Sequence, residues 1–579
     1  MRVLRVELRH FRGFDALTLD PSDHVVLVGE PRAGRSALLE GLRRVLLVDG
    51  TRVTTADELD FHRGDTSTRA EIEVVLGNLG ETLEQEFFDH IEPWDPAAQA
   101  VAQPAPPTET PGDADTVWVL RLCYRAQWDE DQERADHWVD FPGESDPDEG
   151  DFARITRRLH SQLPVVLASS SSRPLTLGPQ AMFRRLVDAS EGGDLGEALD
   201  DLVESIEGAG AAFAGTGQIQ GALNQVLSPL VGPLGIEDTD EVLRFVPEGG
   251  SLSGVLRSLA PALDLGQPGH LPLARHGSTT TALVQVGEAL AGVEKDDAVI
   301  LFDDFGEHLD ALSAKHLAAI VRRRAGQAWL ATRRSTAVEA FAPSEVIRLY
   351  RRGDETRAAT LPPLTSRASR VAARHLSGQL LPAASAKTVA ILEGPHDRAA
   401  VEALARRLSR TAGTWHPAAA GVALVDAAGA DGSGGSSAVI RLAAFARRLG
   451  FRVVAVIDWD ANDAPQILAQ ALDAADVVVR LPERHAIERA ILSGLADDVV
   501  RSTTKVLCSA FNVEPPTDLD SLSGISLQRE VRKTLKGSGG LHSQFIDLLP
   551  AGSTPALLRA LLRELVKAAD PQIAGHRQL

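Results

Sequence analysis

The chain predicts an α/β protein of more than one domain, built on parallel sheets. Three observations carry this reading. His24-Val-Val-Leu-Val-Gly29 is an apolar run entering a glycine-rich turn, followed by the helical pattern Leu38, Leu39, Leu42, Val45, Leu46. Ala298-Val-Ile-Leu-Phe302 and Val453-Val-Ala-Val-Ile457 are short runs that end in paired acids, Asp303-Asp304 and Asp458-Trp459-Asp460. Thr388-Val-Ala-Ile-Leu392 ends in Glu393, and Val401, Leu404, Ala405 and Leu408 then repeat at helical spacing. Short apolar runs bounded by turn signals read as buried parallel strands. Acids at their carboxyl ends lie where open α/β sheets bind ligands.

A chain of 579 residues exceeds one hydrophobic core, and its 44% apolar content supports ordinary cores. Cys123 and Cys508 are too few for a disulfide framework or a cysteine-rich zinc site. No apolar run approaches the roughly 20 residues of a membrane span, and the N-terminus lacks a signal-peptide pattern. A cytoplasmic protein without membrane contact is expected. The net charge of -21 argues against nucleic acid. The acid is uneven, however: Trp128 to Asp151 holds eleven Asp or Glu and one Arg, which reads as a solvated, mobile loop. Basic residues cluster at Arg322-Arg323-Arg324, Arg351-Arg352, Arg406-Arg407 and Arg532-Lys533 with Lys536.

Residues 2–9 alternate as a strand, Phe11-Arg12-Gly13-Phe14 follows, and Leu17-Thr18-Leu19 is a second strand. Gly29-Glu-Pro-Arg-Ala-Gly34-Arg35-Ser36 has the spacing of a phosphate-binding loop, with Arg35 in place of the usual lysine. Its amides could cradle phosphates at a helix N-terminus, and Ser36 keeps the Mg²⁺-binding hydroxyl. A glycine-rich turn that binds nothing is the plainer alternative. Arginine is planar and forked, so it is no conservative stand-in for lysine. Residues 71–77 and 117–125 read as strands around a proline-rich loop at Pro104–Gly112. Residues 166–262 read as a helical insertion, and 353–386 as an inter-domain connection.

The carboxylates Glu393, Asp397, Asp458, Asp460 and Glu488 draw the rest together. Asp458 and Asp460 are two apart on a strand and share a face. Several carboxylates at one sheet edge repel one another, and a divalent cation resolves the conflict. Oxygen-only ligands favour Mg²⁺ or Mn²⁺ over zinc.

Glu393-Gly394 with Asp397, followed by Asp458-x-Asp460, resembles a Toprim domain, the metal-dependent module of topoisomerases, primases and certain nucleases. Leu481-Pro482 and Ile487-Glu488 resemble the Ile-Glu element of its nuclease branch. Phe11-Arg12-Gly13-Phe14 resembles the opening of SMC- and OLD-type ATPases. Asp303-Asp304 resembles a Walker B element, with Gly277-Ser278 where a signature-like turn would stand. The whole chain resembles the OLD (overcoming lysogenization defect) family of nucleases, of the kind found in the Gabija antiphage system.

The resemblance implies an ABC/SMC-type ATPase domain in two halves, 1–165 and 263–352, around an insertion that makes dimer contacts, then a Toprim domain over 387–579. It implies a homodimer or higher homo-oligomer, a helicase-like partner, and two-metal DNA hydrolysis. Glu393, Asp397, Asp458, Asp460 and Glu488 would be the metal ligands, with no assignment of acid to ion. Glu393, Asp458, Asp460 and Lys536 would be catalytic, with Lys533 as the rival lysine. Gly29, Gly34, Arg35, Ser36, Asp303 and Asp304 would bind nucleotide. The usual lysine, the Walker B Glu and the sensor His are replaced by Arg35, Asp304 and Arg333, so ATP is expected to be bound or hydrolysed weakly. A strand-passing enzyme needs a tyrosine nucleophile, and only Tyr124 and Tyr350 exist. The competing reading is a non-catalytic scaffold that senses nucleotide or DNA.

Overall fold

A computed structural model describes the chain except residues 22, 49–55, 103–116, 170–173, 177–182, 184–215, 237–242, 247–259, 267–268, 293–297, 361–375, 413–415, 429–434, 460–463 and 538–539. The chain divides into two units, Met1–Thr360 and Leu361–Leu579.

The first unit holds two large sheets. One is seven-stranded and antiparallel, with Arg2–Phe11 between Phe14–Leu19 and Ala70–Gly77, and Val117–Asp129 beyond. The other runs Glu355–Thr360, Val346–Arg352, Val25–Gly29, Gln327–Ala331, Val299–Asp303, Val165–Ser169; all neighbours are parallel except the first pair. Val25–Gly29 is wholly buried, as its unbroken apolar run requires. The helix Arg35–Leu46 buries Leu38, Leu39, Leu42, Val45 and Leu46 in one core with residues of both sheets.

Three expectations change here. The acidic stretch after Trp128 is a hairpin: Val117–Asp129 pairs with Arg134–Asp140. Its acids are partly structural, since Asp140 is fully buried and accepts a 2.8 Å hydrogen bond from Arg125 Nε. Counting charge could not reveal that partner on the neighbouring strand. Most of 166–262 lies outside the described residues; Gly217–Leu227 within it is a helix as expected, but Leu243–Val246 and Ala260–Leu263 are strands of a small sheet. The connection also starts later than expected, because Glu355–Thr360 pairs along Val346–Arg352. The expected proline-rich loop falls outside the described residues.

The second unit is built on a five-stranded sheet in the order Val422–Asp426, Thr388–Leu392, Arg452–Ile457, Val477–Arg480, Gly575–Gln578, parallel throughout. Its central strands are fully buried apolar runs, so their polar ends are forced to the sheet edges. The helices Pro395–Ala412, Asp497–Phe511, Gly524–Gly537, His542–Leu548 and Ala556–Lys567 share its core through residues such as Leu404, Leu507, Val531, Phe545 and Leu561. Both cysteines are buried. Among the described residues no helix is long and apolar enough to cross a membrane.

Candidate functional sites: a carboxylate edge and a phosphate loop

In the second unit, Glu393 and Asp458 follow adjacent parallel strands, Thr388–Leu392 and Arg452–Ile457, and meet at their carboxyl edge. Glu393 Oε1 accepts hydrogen bonds from Ser436 Oγ at 2.7 Å and from the Asp458 amide at 3.1 Å. Ser436 opens the helix Ser436–Arg448. Asp460 lies outside the described residues.

Asp397 stands in the first turn of the helix Pro395–Ala412 and accepts the Gly394 amide at 3.0 Å. The first-turn capping role of such an acid is therefore real here. One capping bond does not account for its electrostatics. Burial first, then the charges of Glu393 and Glu488, push its carboxyl up to about 7, with His542 acting the other way.

Glu488, 9% exposed, lies in the first turn of the helix Ile487–Leu492. Burial works to raise its pKa, but His542 and Lys536 outweigh it and hold the carboxyl at about 2. Lys536 Nζ is in contact at 2.8 Å, whereas His542 Nε2 is 3.9 Å away, beyond hydrogen-bond range, so Lys536 is the effective neutraliser. Lys533 instead pairs with Glu530 on its own helix at 2.9 Å. The tertiary structure thus separates the two lysines that sequence left as rivals. His542 is 2% exposed, makes no hydrogen bond through either ring nitrogen, and stacks on His396 with ring centroids 5.4 Å apart. Sequence reasoning missed both histidines as parts of this edge.

Among the described residues, the one set of three His, Asp or Glu side chains with ligand atoms mutually within 4.8 Å is elsewhere: Asp23, His24 and Glu345 in the first unit. It is a poor metal site. The Ala328 amide donates to His24 Nδ1, so the neutral ring carries its proton on Nε2, facing Asp23, and Glu345 is tied to Arg322. In the second unit Glu393 is held by Ser436 and the Asp458 amide, Asp397 by the Gly394 amide, and Glu488 by Lys536. Their donor set is nevertheless all oxygen and suits a hard divalent cation.

In the first unit, the phosphate loop has its expected backbone. Gly29 has φ +140°, and a Cβ there would meet the Leu349 carbonyl oxygen at 1.9 Å. Gly34 has φ +88°, and a Cβ would press on the Phe14 ring at 2.7 Å. Both glycines are required by packing alone. Ser36 Oγ donates to Asp303 Oδ1 at 3.0 Å, which brings together the two side chains expected around Mg²⁺. Burial raises the Asp303 pKa.

The other charged groups are already occupied. Arg35 donates to the Thr332 carbonyl at 3.2 Å. Burial and the nearby Arg333 lower its pKa. Arg333 bridges Asp304 at 3.5 Å and Glu307 at 3.3 Å. Asp304 itself sits at φ +52°. Glu30, inside the loop, is buried against Arg348 at 3.3 Å. Tyr124 is buried and its hydroxyl accepts from Arg44 at 2.7 Å, so it is not placed as a nucleophile.

A family of unknown function, DUF2813, matches residues 1–92. No curated protein sequence matches the chain. Among solved structures, an SMC head bound to the C-terminal winged-helix domain of ScpA is similar at 14% identity and a TM-score of 0.35, covering 62% of this chain and 98% of that one. The Pyrococcus furiosus SMC head bound to the C-terminal domain of ScpA gives 13% and 0.35, over 62% and 96%. The SMC head of Thermotoga maritima gives 10% and 0.28, over 63% and 100%.

Proposed function

We propose that the chain is a metal-dependent DNA endonuclease of the OLD type, acting through the carboxylate edge of its second unit. One observation carries the reading. Glu393 and Asp397 share one strand-to-helix turn, Glu488 arrives from about 90 residues on, and burial together with the charges of Glu393 and Glu488 pushes the Asp397 carboxyl up to about 7. Like charges crowded at the ligand-binding edge of a parallel sheet call for a cation.

Glu393, Asp397, Asp458 and Glu488 would hold Mg²⁺ or Mn²⁺, with Asp460 as a further expected ligand. When bound, the ions would supply a hydroxide at neutral pH and charge stabilisation for the leaving oxygen. Ser436 and the Asp458 amide orient Glu393. Lys536, with its side chain 62% exposed, pairs with Glu488 at 2.8 Å. It is free to turn from that acid toward the charge that develops on a scissile phosphate.

The first unit is read as a nucleotide-binding scaffold with weak turnover, since Arg35, Asp304 and Arg333 are committed to internal partners. Homo-oligomerisation, a helicase-like partner and a role in antiphage defence rest on the family resemblance. Nicking of supercoiled plasmid in Mn²⁺ or Mg²⁺ tests the proposal against the scaffold alternative. Wild type should nick, a chelator should stop it, and folded Asp458→Ala should be inactive. Wild-type rates in folded Asp458→Ala would refute the assignment.

A further inference from the structure

Arg480 ends the strand Val477–Arg480 and lies opposite Ile457, one strand over from Asp458. It therefore stands on the same carboxyl edge as the acids, at about one inter-strand spacing of 4.8 Å. Its guanidinium carbon is 3.6 Å from the centroid of the half-buried Trp459 ring. The side chain is 6% exposed. Burial alone moves its pKa, downward, and no acid among the described residues acts on it. His576, on the next strand, is itself shifted down by burial and by the charge of Arg480.

A sheltered cation without an anion is an unbalanced arrangement. The indole face attracts it but carries no neutralising charge. Stacking also has a directional consequence. Trp459 covers the face of the guanidinium, while its N–H groups point outward in the guanidinium plane. That plane is the one in which an arginine fork grips two oxygens of a phosphate.

We propose that Arg480, braced on Trp459, binds a backbone phosphate of the DNA strand next to the phosphate held at the carboxylate edge. This rests on the nuclease reading above and extends it to two residues outside the acid set. Along the edge, among the described residues, Glu393 and Asp458 give way to the stacked cation of Arg480. A strand lying across it would place one phosphate toward the metal-binding acids and a neighbouring one at Arg480. Arg480 is a binding residue here, not a catalytic one.

The test uses the full-length protein, a labelled DNA duplex in Ca²⁺ for binding, and nicking kinetics in Mn²⁺. Arg480→Gln should reduce the slope of log affinity against log salt by about 0.9, one phosphate contact, between about 50 and 200 mM salt. KM should rise by more than kcat falls. Arg480→Lys, which keeps the charge but loses the fork and the stack, should fall between wild type and Arg480→Gln. Trp459→Ala should also lower the slope, by less.

Inorganic phosphate should compete with the duplex equally well in wild type and Arg480→Gln. Competition lost only in Arg480→Gln would mean a site for free phosphate and would overturn the DNA assignment. An unchanged salt slope in Arg480→Gln, with lowered Tm, would make the stack structural only and would also overturn it. A wild type that neither binds nor nicks DNA would bring down the nuclease reading itself, an outcome distinct from those two.

Discussion

The two candidate sites differ in how their charges are satisfied. At the phosphate loop the charged side chains nearest the expected nucleotide site have partners within the first unit: Arg35 with a carbonyl, Arg333 with two acids, Glu30 with Arg348, and Asp303 with Ser36. At the carboxylate edge Glu488 is neutralised by Lys536, but burial and then the charges of Glu393 and Glu488 push Asp397 up to about 7. A polar site that is internally complete gains little from a ligand, because each new contact costs an old one. A site that repels itself gains from a cation even before any chemistry.

The strongest way to break this contrast is to remove one acid from each site. Glu393→Gln should lower nicking by about 100-fold or more, as expected when several kcal/mol of metal-borne stabilisation are lost. Asp303→Asn should leave metal-dependent nicking in the absence of nucleotide largely intact. Equal losses in the two variants would mean that the sites work as one.

A smaller effect separates the two lysines. Lys536→Ala should lower the nicking rate by about 10²-fold, in line with removing one preorganised donor from developing charge. Lys533→Ala, which severs only an exposed pair within its own helix, should change it by no more than about twofold. Matching effects in a rate assay would remove Lys536 from the mechanism.

At the phosphate loop, steady-state phosphate release by wild type should stay below about 1 s⁻¹, the low end of ordinary enzyme rates. Arg35→Lys alone should not raise it above that level, because Asp304 remains tied to Arg333. Arg35→Lys combined with Asp304→Glu and Arg333→His should be the first combination to do so. A wild type already above that rate would mean that Arg35 and Asp304 form a working variant.

The smallest expected effect is thermodynamic. Asp397 has a folded pKa of about 7, above the ordinary aspartate value of about 3.9. The folded, metal-free protein therefore binds the extra proton between those values, so this group's contribution to stability falls as pH rises from about 4 to about 7. Glu488, held at about 2, has the opposite sign, and its contribution is lost only as pH falls below about 4. Asp397→Asn should thus raise the metal-free Tm at about pH 8 by about 2–4 °C, the shift expected from about 1 kcal/mol in a unit of this size. It should also shrink the further rise produced by Mn²⁺. Differential scanning calorimetry at two pH values reads both, and an Asp397→Asn protein that is less stable at high pH without metal would contradict the crowding argument.

Much of this molecule is written locally. The apolar runs at 25–29, 299–303, 388–392 and 453–457 became buried strands because nothing but a two-sided sheet satisfies such residues. Gly29 and Gly34 announced their turn because a side chain at either would collide with its neighbours. The acids following the strands signalled an edge for the same reason: the strands hide, and their polar ends cannot. What sequence could not supply were the partners that arrive from far along the chain. Asp140 looked solvated until Arg125 was seen across the hairpin. Sequence favoured Lys536 and kept Lys533 as its rival; the helix Gly524–Gly537 turns Lys533 toward Glu530 and Lys536 toward Glu488. Ser436, His542 and Arg480 carried no motif, and only their approach to Glu393, Glu488 and Trp459 gives them a role. Sequence determined which segments had to be buried, since hydrophobicity and backbone sterics act over a few residues. Tertiary structure alone decided which charges were neutralised, because that depends on distances of a few ångströms between residues up to hundreds of positions apart.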